Sequence, residues 1–191
     1  RLLRHRFGRG IMHSAARLTY AQAQAARDGA PDAVTAPLTD SVITPLFDAY
    51  RSLARGRVKR GVLELDLPER HVVLDDGGDV SAVELRARHD SHRLIEEFMI
   101  TANVAAAETL EKLKHPCMYR VHDVPTVEKL DALRTFLGSI GLKLAKGQVI
   151  KPSHLNHILE QAADTPHTHI VNQVVLRSQS QAQYTPHNIG H

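Results

Sequence analysis

The chain has 191 residues, 42% of them hydrophobic and 24% charged, with 24 lysines and arginines against 21 aspartates and glutamates and a formal net charge of +3. That balance excludes a disordered polymer, because enough apolar surface is present to offset chain entropy, and no apolar run approaches the ~20 residues that a membrane-spanning helix needs. Cys117 is the one cysteine, which excludes a disulfide scaffold and an all-cysteine zinc site and fits a reducing compartment.

In chain order, residues 4–13 read as a strand of mixed polarity. Tyr20 to Arg27 is rich in alanine and glutamine and reads as a short helix, broken by Gly29-Ala30-Pro31-Asp32. Thr39 or Asp40 caps the next helix, which carries Val42, Ile43, Leu46, Phe47, Tyr50 and Leu53 at helical spacing, with Pro45 predicting a late start or a kink and Gly61 the end. The period then changes to two. Val62 to Leu67, Val72 to Leu74 and Val80 to Leu85 read as an antiparallel meander, with Asp75-Asp76-Gly77-Gly78-Asp79 as a hairpin turn. The longest element is a helix from about Ser91 to Lys114, closed by His115-Pro116. Met118 to His122 reads as a short strand, and helices follow over 125–139, from Pro152 to about Ala163, and from Ile170 to about Tyr184. Helices interspersed with short antiparallel strands predict an α+β class. The start at Arg1, without methionine or signal-peptide order, and the end at His191 lead us to expect a domain incomplete at both ends.

On a helical wheel of the longest helix, Glu97, Thr101, Glu108, Glu111 and Lys112 cluster on one side, predicted to face solvent. Ile95, Met99, Ala102, Ala106, Leu110 and Leu113 lie opposite, predicted to be buried. Glu96 and Asn103 break this division, since they fall on the flank of the apolar side, roughly 20° apart. A carboxylate there needs a partner. It is either a structural hydrogen-bonding group or a ligand-facing acceptor in a cleft. Tyr20, at a strand-to-helix junction, is likewise either a packed tyrosine with a satisfied hydroxyl or a placed recognition group.

Several other features carry less. The thirteen histidines include the close pairs His154 and His157, His167 and His169, and His187 and His191, none with a convincing third and fourth ligand. His13-Ser14 lacks the G-x-S-x-G of a nucleophile elbow, and Gly8-Arg9-Gly10 lacks the continuation of a phosphate loop. Cys117 beside Pro116 reads as a small buried apolar residue rather than a nucleophile, and Asp75, Asp76 and Asp79 read as a turn rather than a metal site. Aromatic residues are only 4% of the chain, which argues against a broad base-stacking platform.

Five segments resemble, in order, the ribonuclease II / ribonuclease R family within its RNB catalytic domain. His13-Ser14-Ala15-Ala16-Arg17-Leu18-Thr19-Tyr20 is similar to the family's HSxARLTY, and the run from Arg60 to Glu69 to its RGxLxFxxPE. The run from Ser91 to Ile100 with Ala102-Asn103 is similar to SHxLIEExMIxAN, and Tyr119 to Pro125 to YRxHxxP. Val175-Leu176-Arg177-Ser178, Gln181-Ala182, Tyr184, Pro186, Asn188 and Gly190-His191 resemble its LRSxxQAxYxPxNxGH run.

The resemblance implies a processive 3′→5′ hydrolytic exoribonuclease that releases nucleoside 5′-monophosphates from single-stranded RNA with a free 3′ end. It implies a cytoplasmic, monomeric full-length enzyme without a membrane. It further implies magnesium held by aspartates upstream of Arg1 and a catalytic arginine downstream of His191, so that no catalytic residue or metal ligand is expected within these 191 residues. Tyr20 and Glu96 match the tyrosine and glutamate that, in the family, contact the 3′-terminal nucleotides and select RNA over DNA. Asn103 is expected to support Glu96. Leu65 stands where the family's motif carries a stacking phenylalanine, and it offers apolar contact without a ring. Two other readings compete. One is a non-catalytic RNA-binding relative that lost the metal site, and the other is a protein-interaction module built on the longest helix.

Overall fold

A computed structural model describes residues 2–147 and 149–189. The chain divides into two compact units, residues 1–60 with 87–115, and residues 61–86 with 116–191. The class is α+β, as the pattern of elements predicts.

The first unit is helical. Helix α1 spans Tyr20–Arg27. Thr19 caps it: the Gln22 amide donates to Thr19 Oγ1 at 3.2 Å, and the Thr19 amide donates to Gln22 Oε1 at 3.0 Å. A 3-10 turn over Ala36–Leu38 and a wider π-type turn over Thr39–Ile43 lead into helix α2, Thr44–Arg60. Pro45 sits in the first turn of α2, where its missing N–H costs nothing, so the helix starts late as predicted. Helix α3 spans Asp90–Lys112. Ala26 of α1, Ile43, Phe47 of α2 and Leu94 of α3 form the core, with Leu18, Leu38, Tyr50 and Phe98 packed against it. The Arg27 guanidinium lies over the Phe47 ring at 5.4 Å. Residues 4–13 do not form the expected strand. They are exposed and form no regular element, and His5 Nε2 meets Thr109 Oγ1 at 2.7 Å.

The second unit opens at Gly61, whose φ of +63° closes α2 in a conformation that costs other residues about 1 kcal/mol. Val62 to Leu67 is not the first strand of a meander. Its alternation holds, with Val62, Leu63, Leu65 and Leu67 half-buried and Glu64 and Asp66 exposed, but its partners are side chains. The Glu64 amide donates to Asn156 Oδ1 at 2.9 Å, and the Asp66 amide to Asn172 Oδ1 at 2.8 Å. Strands β1 (Arg70–Leu74) and β2 (Val80–Leu85) form the predicted hairpin, with Val72 opposite Val83 and an irregularity at Val73/Leu74. Asp75 Oδ1 accepts from the amides of Gly77 at 2.9 Å and Asp79 at 3.0 Å, so the acidic run is a turn.

Helices α4 (Val127–Ser139), α5 (Pro152–Ala162) and α6 (Thr168–Ser178) build the core of this unit from Leu133, Leu137, Leu155, Ile158, Val171 and Val175. Thr126 caps α4, its hydroxyl accepting from the Lys129 amide at 3.3 Å. The last helix stops six residues short of the expected Tyr184. The polar run after Ser178 has no apolar stripe to bury, and Lys129 Nζ donates to the Gln179 carbonyl at 2.7 Å and His122 Nδ1 to that of Ser180 at 3.0 Å. The chain then returns as strand β4 (Gln183–Thr185), antiparallel to β3 (Tyr119–Val121), with Arg120 opposite Tyr184 and its guanidinium 5.4 Å from that ring. Among the described residues no helix is long and apolar enough to cross a membrane.

Candidate functional site

The site lies at the beginning of α3, in the first unit. Ser91, 3% exposed, ties the start of α1 to it: Ser91 Oγ donates to the Tyr20 carbonyl at 2.8 Å, and the Ser91 amide donates to Gln24 Oε1 at 3.1 Å. The Tyr20 ring stacks on the His92 ring, with centroids 4.1 Å apart and planes 21° from parallel, and Tyr20 stays 42% exposed. Glu96 is one helical turn after His92, so the two share a face of α3. His92 thus touches Tyr20 and stands one turn before Glu96 on the same helix.

The wheel misplaced Glu97. Glu97, expected on the solvent face, is 4% exposed, while Glu96 is half-buried with 43% of its side chain accessible. Thr101, also expected outside, is half-buried, whereas Ile95, Met99, Ala102 and Leu113, expected inside, are exposed. Apolar residues run most of the way round α3, so its sequence contrast is weak; Leu94 and Phe98 choose the buried side because they join the core. Glu97 shares that side at the cost of desolvation, met by Arg57 of α2, whose guanidinium donates to Glu97 Oε1 at 2.9 Å. Arg60 adds a contact to Glu97 Oε2 at 3.9 Å.

Glu96 has its own cations. Arg88 donates to Glu96 Oε2 at 3.0 Å, and Arg57 lies 3.8 Å from Oε1. The structural reading of Glu96 and the ligand-facing one are thus compatible: an arginine holds one oxygen while the half-exposed carboxylate keeps capacity to accept. Close by, burial pushes the Tyr50 hydroxyl up in pKa, with the Asp90 charge adding to it.

Asn103 is exposed on α3, two turns beyond Glu96 and roughly 10 Å along the axis. Leu65 belongs to the second unit, half-buried against its core. Sequence reasoning missed His92, Arg57 and Arg88. His92 was legible as the residue four before Glu96 inside one motif; Arg57, forty positions away from Glu97, carried no local signal.

Among the described residues, no group of three or more histidine, cysteine, aspartate or glutamate side chains is placed to hold a metal ion. The residues present do not fit the magnesium site that the family resemblance implies. Arg1 and His191, with Gly190 of the last motif, lie outside the described residues. Cys117, expected to be buried, is a half-buried free thiol.

The chain is similar to known proteins along its whole length. The family model described as the RNB domain matches residues 1–191. Ribonuclease R of Aquifex aeolicus is 36% identical over 184 residues, covering 95% of this chain and 26% of that protein. Ribonuclease R of Escherichia coli is 35% identical over 193 residues, covering 100% of this chain and 24% of that protein. The chain therefore spans about a quarter of the length of these curated relatives. In fold it resembles Mycoplasma genitalium RNase R in complex with ribose methylated single-stranded RNA, at a TM-score of 0.79 and 22% identity, over 90% of this chain and 27% of that one. The same enzyme in complex with double-stranded RNA superposes with a TM-score of 0.78 at 22% identity, over 87% of this chain and 30% of that one. Motif order, a match along the full length and the shared fold point the same way, and the chain belongs to the RNB domain family.

Proposed function

We propose that this chain is the RNA-recognition part of a 3′→5′ exoribonuclease that hydrolyses single-stranded RNA to nucleoside 5′-monophosphates. Membership of the RNB family supports the RNA substrate, as do relatives named ribonuclease R and structural neighbours bound to RNA. In this reading the enzyme acts processively from a free 3′ end, as a monomer in the cytoplasm. Its magnesium is held by residues other than those described here, and no step of the hydrolysis is assigned to them.

The observation that carries the reading is the exposed Tyr20 ring stacked on His92, one turn from the Glu96 carboxylate. A phenol donates and accepts, and a carboxylate accepts; a ribose 2′-OH does both, and DNA lacks it. Tyr20 and Glu96 read that hydroxyl.

The test is equilibrium binding of the 191-residue chain to a single-stranded RNA and to the DNA of the same sequence. RNA binds more tightly, and Glu96→Ala lowers RNA affinity about tenfold and Tyr20→Phe about threefold, with DNA affinity unchanged. Equal affinities, or equal losses on both polymers, overturn the reading. Metal-dependent release of mononucleotides by the chain overturns the placement of the magnesium. RNA preference without hydrolysis in the full polypeptide selects the non-catalytic relative instead.

A further inference from the structure

The recognition reading uses the Tyr20 hydroxyl, but a hydroxyl discriminates only when its ring is held. Tyr20 is the first residue of α1 and 42% exposed, so α1 alone leaves its side chain free to turn. Its backbone is fixed from α3 by Ser91, and its ring meets His92 of the same helix in a near-parallel stack at 4.1 Å. His92 is itself oriented. Its Nδ1 accepts the His89 amide at 3.1 Å, the place a glutamate or glutamine takes in a capping box, which leaves the proton of the neutral ring on Nε2. The His89 ring lies behind it, 5.6 Å away at 28°. One helix start thus carries the carboxylate of Glu96 and the flat surface on which the Tyr20 ring rests.

We propose that His92 is a positioning residue for RNA selection. It locks the Tyr20 ring onto the Glu96 face of α3, and so fixes the spacing between the hydroxyl and the carboxylate that read the 2′-OH. The proposal rests on the recognition reading and adds to it a residue that touches no substrate.

Two substitutions separate its two jobs. His92→Gln keeps a side-chain acceptor for the His89 amide and removes the ring; His92→Phe keeps a ring and removes the acceptor. In the 191-residue chain, the ratio of RNA to DNA affinity is measured for each, with the melting temperature and the NMR resonances of the Tyr20 ring protons, assigned through Tyr20→Phe. His92→Gln melts near wild type, moves the Tyr20 resonances towards those of free tyrosine, and lowers the RNA-to-DNA ratio about three- to tenfold. His92→Phe melts lower yet keeps the ratio. A wild-type ratio and unmoved Tyr20 resonances in His92→Gln overturn the proposal while leaving the recognition reading intact. Equal loss of the ratio in both variants also overturns it, in favour of a purely structural role. If Tyr20→Phe itself leaves the ratio unchanged, the recognition reading fails and this proposal falls with it.

Discussion

Glu96 and Glu97 are adjacent in sequence and opposite in role. Glu97 is buried and paired with Arg57 at 2.9 Å, so removing its carboxylate takes the nearest anion from a guanidinium that is itself mostly buried. Glu97→Ala is expected to lower the unfolding free energy by about 3 kcal/mol, read from denaturant curves. Glu96→Ala, on a half-exposed carboxylate with arginine partners, is expected to cost less than about 1 kcal/mol while weakening RNA selection. A second residue-scale expectation concerns acid. Asp32 lies in a turn where its carboxylate accepts from the Thr35 amide at 2.7 Å, the Thr35 hydroxyl at 2.8 Å and Gln22 Nε2 at 2.8 Å. The Thr35 amide, followed by the side chain of Gln22, lowers the pKa of Asp32 from 3.8 to about 2. The folded value lies below the unfolded one, so this group's contribution is complete above 3.8 and is lost as the pH falls through about 2. A pH series of unfolding midpoints is expected to flatten in that window in Asp32→Asn.

At the scale of elements, residues 62–67 show how much a pattern of apolar residues settles. The period-two alternation is real and sets which side chains are half-buried. It does not settle what pairs the backbone. Asn156 of α5 accepts from the Glu64 amide and donates to the Val62 carbonyl at 2.9 Å each, which imitates a strand partner from a helix. Asn172 of α6, 3% exposed, accepts from Asp66 while donating to the Thr168 carbonyl at 2.9 Å. Asn172→Ala is expected to destabilise by about 1–3 kcal/mol, since it leaves a half-buried amide without its acceptor. Amide hydrogen exchange is the check: Asp66 loses protection in Asn172→Ala and Glu64 in Asn156→Ala, while the β1–β2 hairpin amides exchange as before. Retained protection at Asp66 would mean that the asparagine is dispensable. By contrast, α1, the hairpin and α4 were legible in detail, because each is fixed by neighbours a few residues away: Thr19 with Gln22, Asp75 with Gly77 and Asp79, Thr126 with Lys129.

Over the whole molecule, charge is unevenly divided. The first unit carries 15 lysines and arginines against nine aspartates and glutamates, a formal +6, and the second carries nine against 12, a formal −3. The unit that holds Tyr20 and Glu96 is thus the one suited to a polyanion. RNA affinity is expected to fall on a log–log line between about 50 and 200 mM salt, by about 0.7 in slope for each phosphate neutralised. The RNA-to-DNA ratio is expected to stay constant across that range, because reading a 2′-OH releases no counterion. Binding titrations of both polymers at several salt concentrations check this. A ratio that collapses with salt would mean that the preference is electrostatic rather than a reading of the ribose.

The sequence by itself determined the family, the α+β class, the hairpin and the helices with local caps, and it named Tyr20 and Glu96 through their motifs. These depend on interactions a few residues apart or on long ordered matches, and both are visible in one dimension. Only the tertiary structure decided which side of α3 is buried, that β4 pairs with β3, and that two asparagines stand in for a strand. The reason is the same in each case. A buried carboxylate is tolerated when an arginine forty residues away reaches it, and an extended backbone is satisfied when side chains from helices about a hundred residues away meet its amides. Such compensation arises from long-range packing, which no local pattern of hydropathy records.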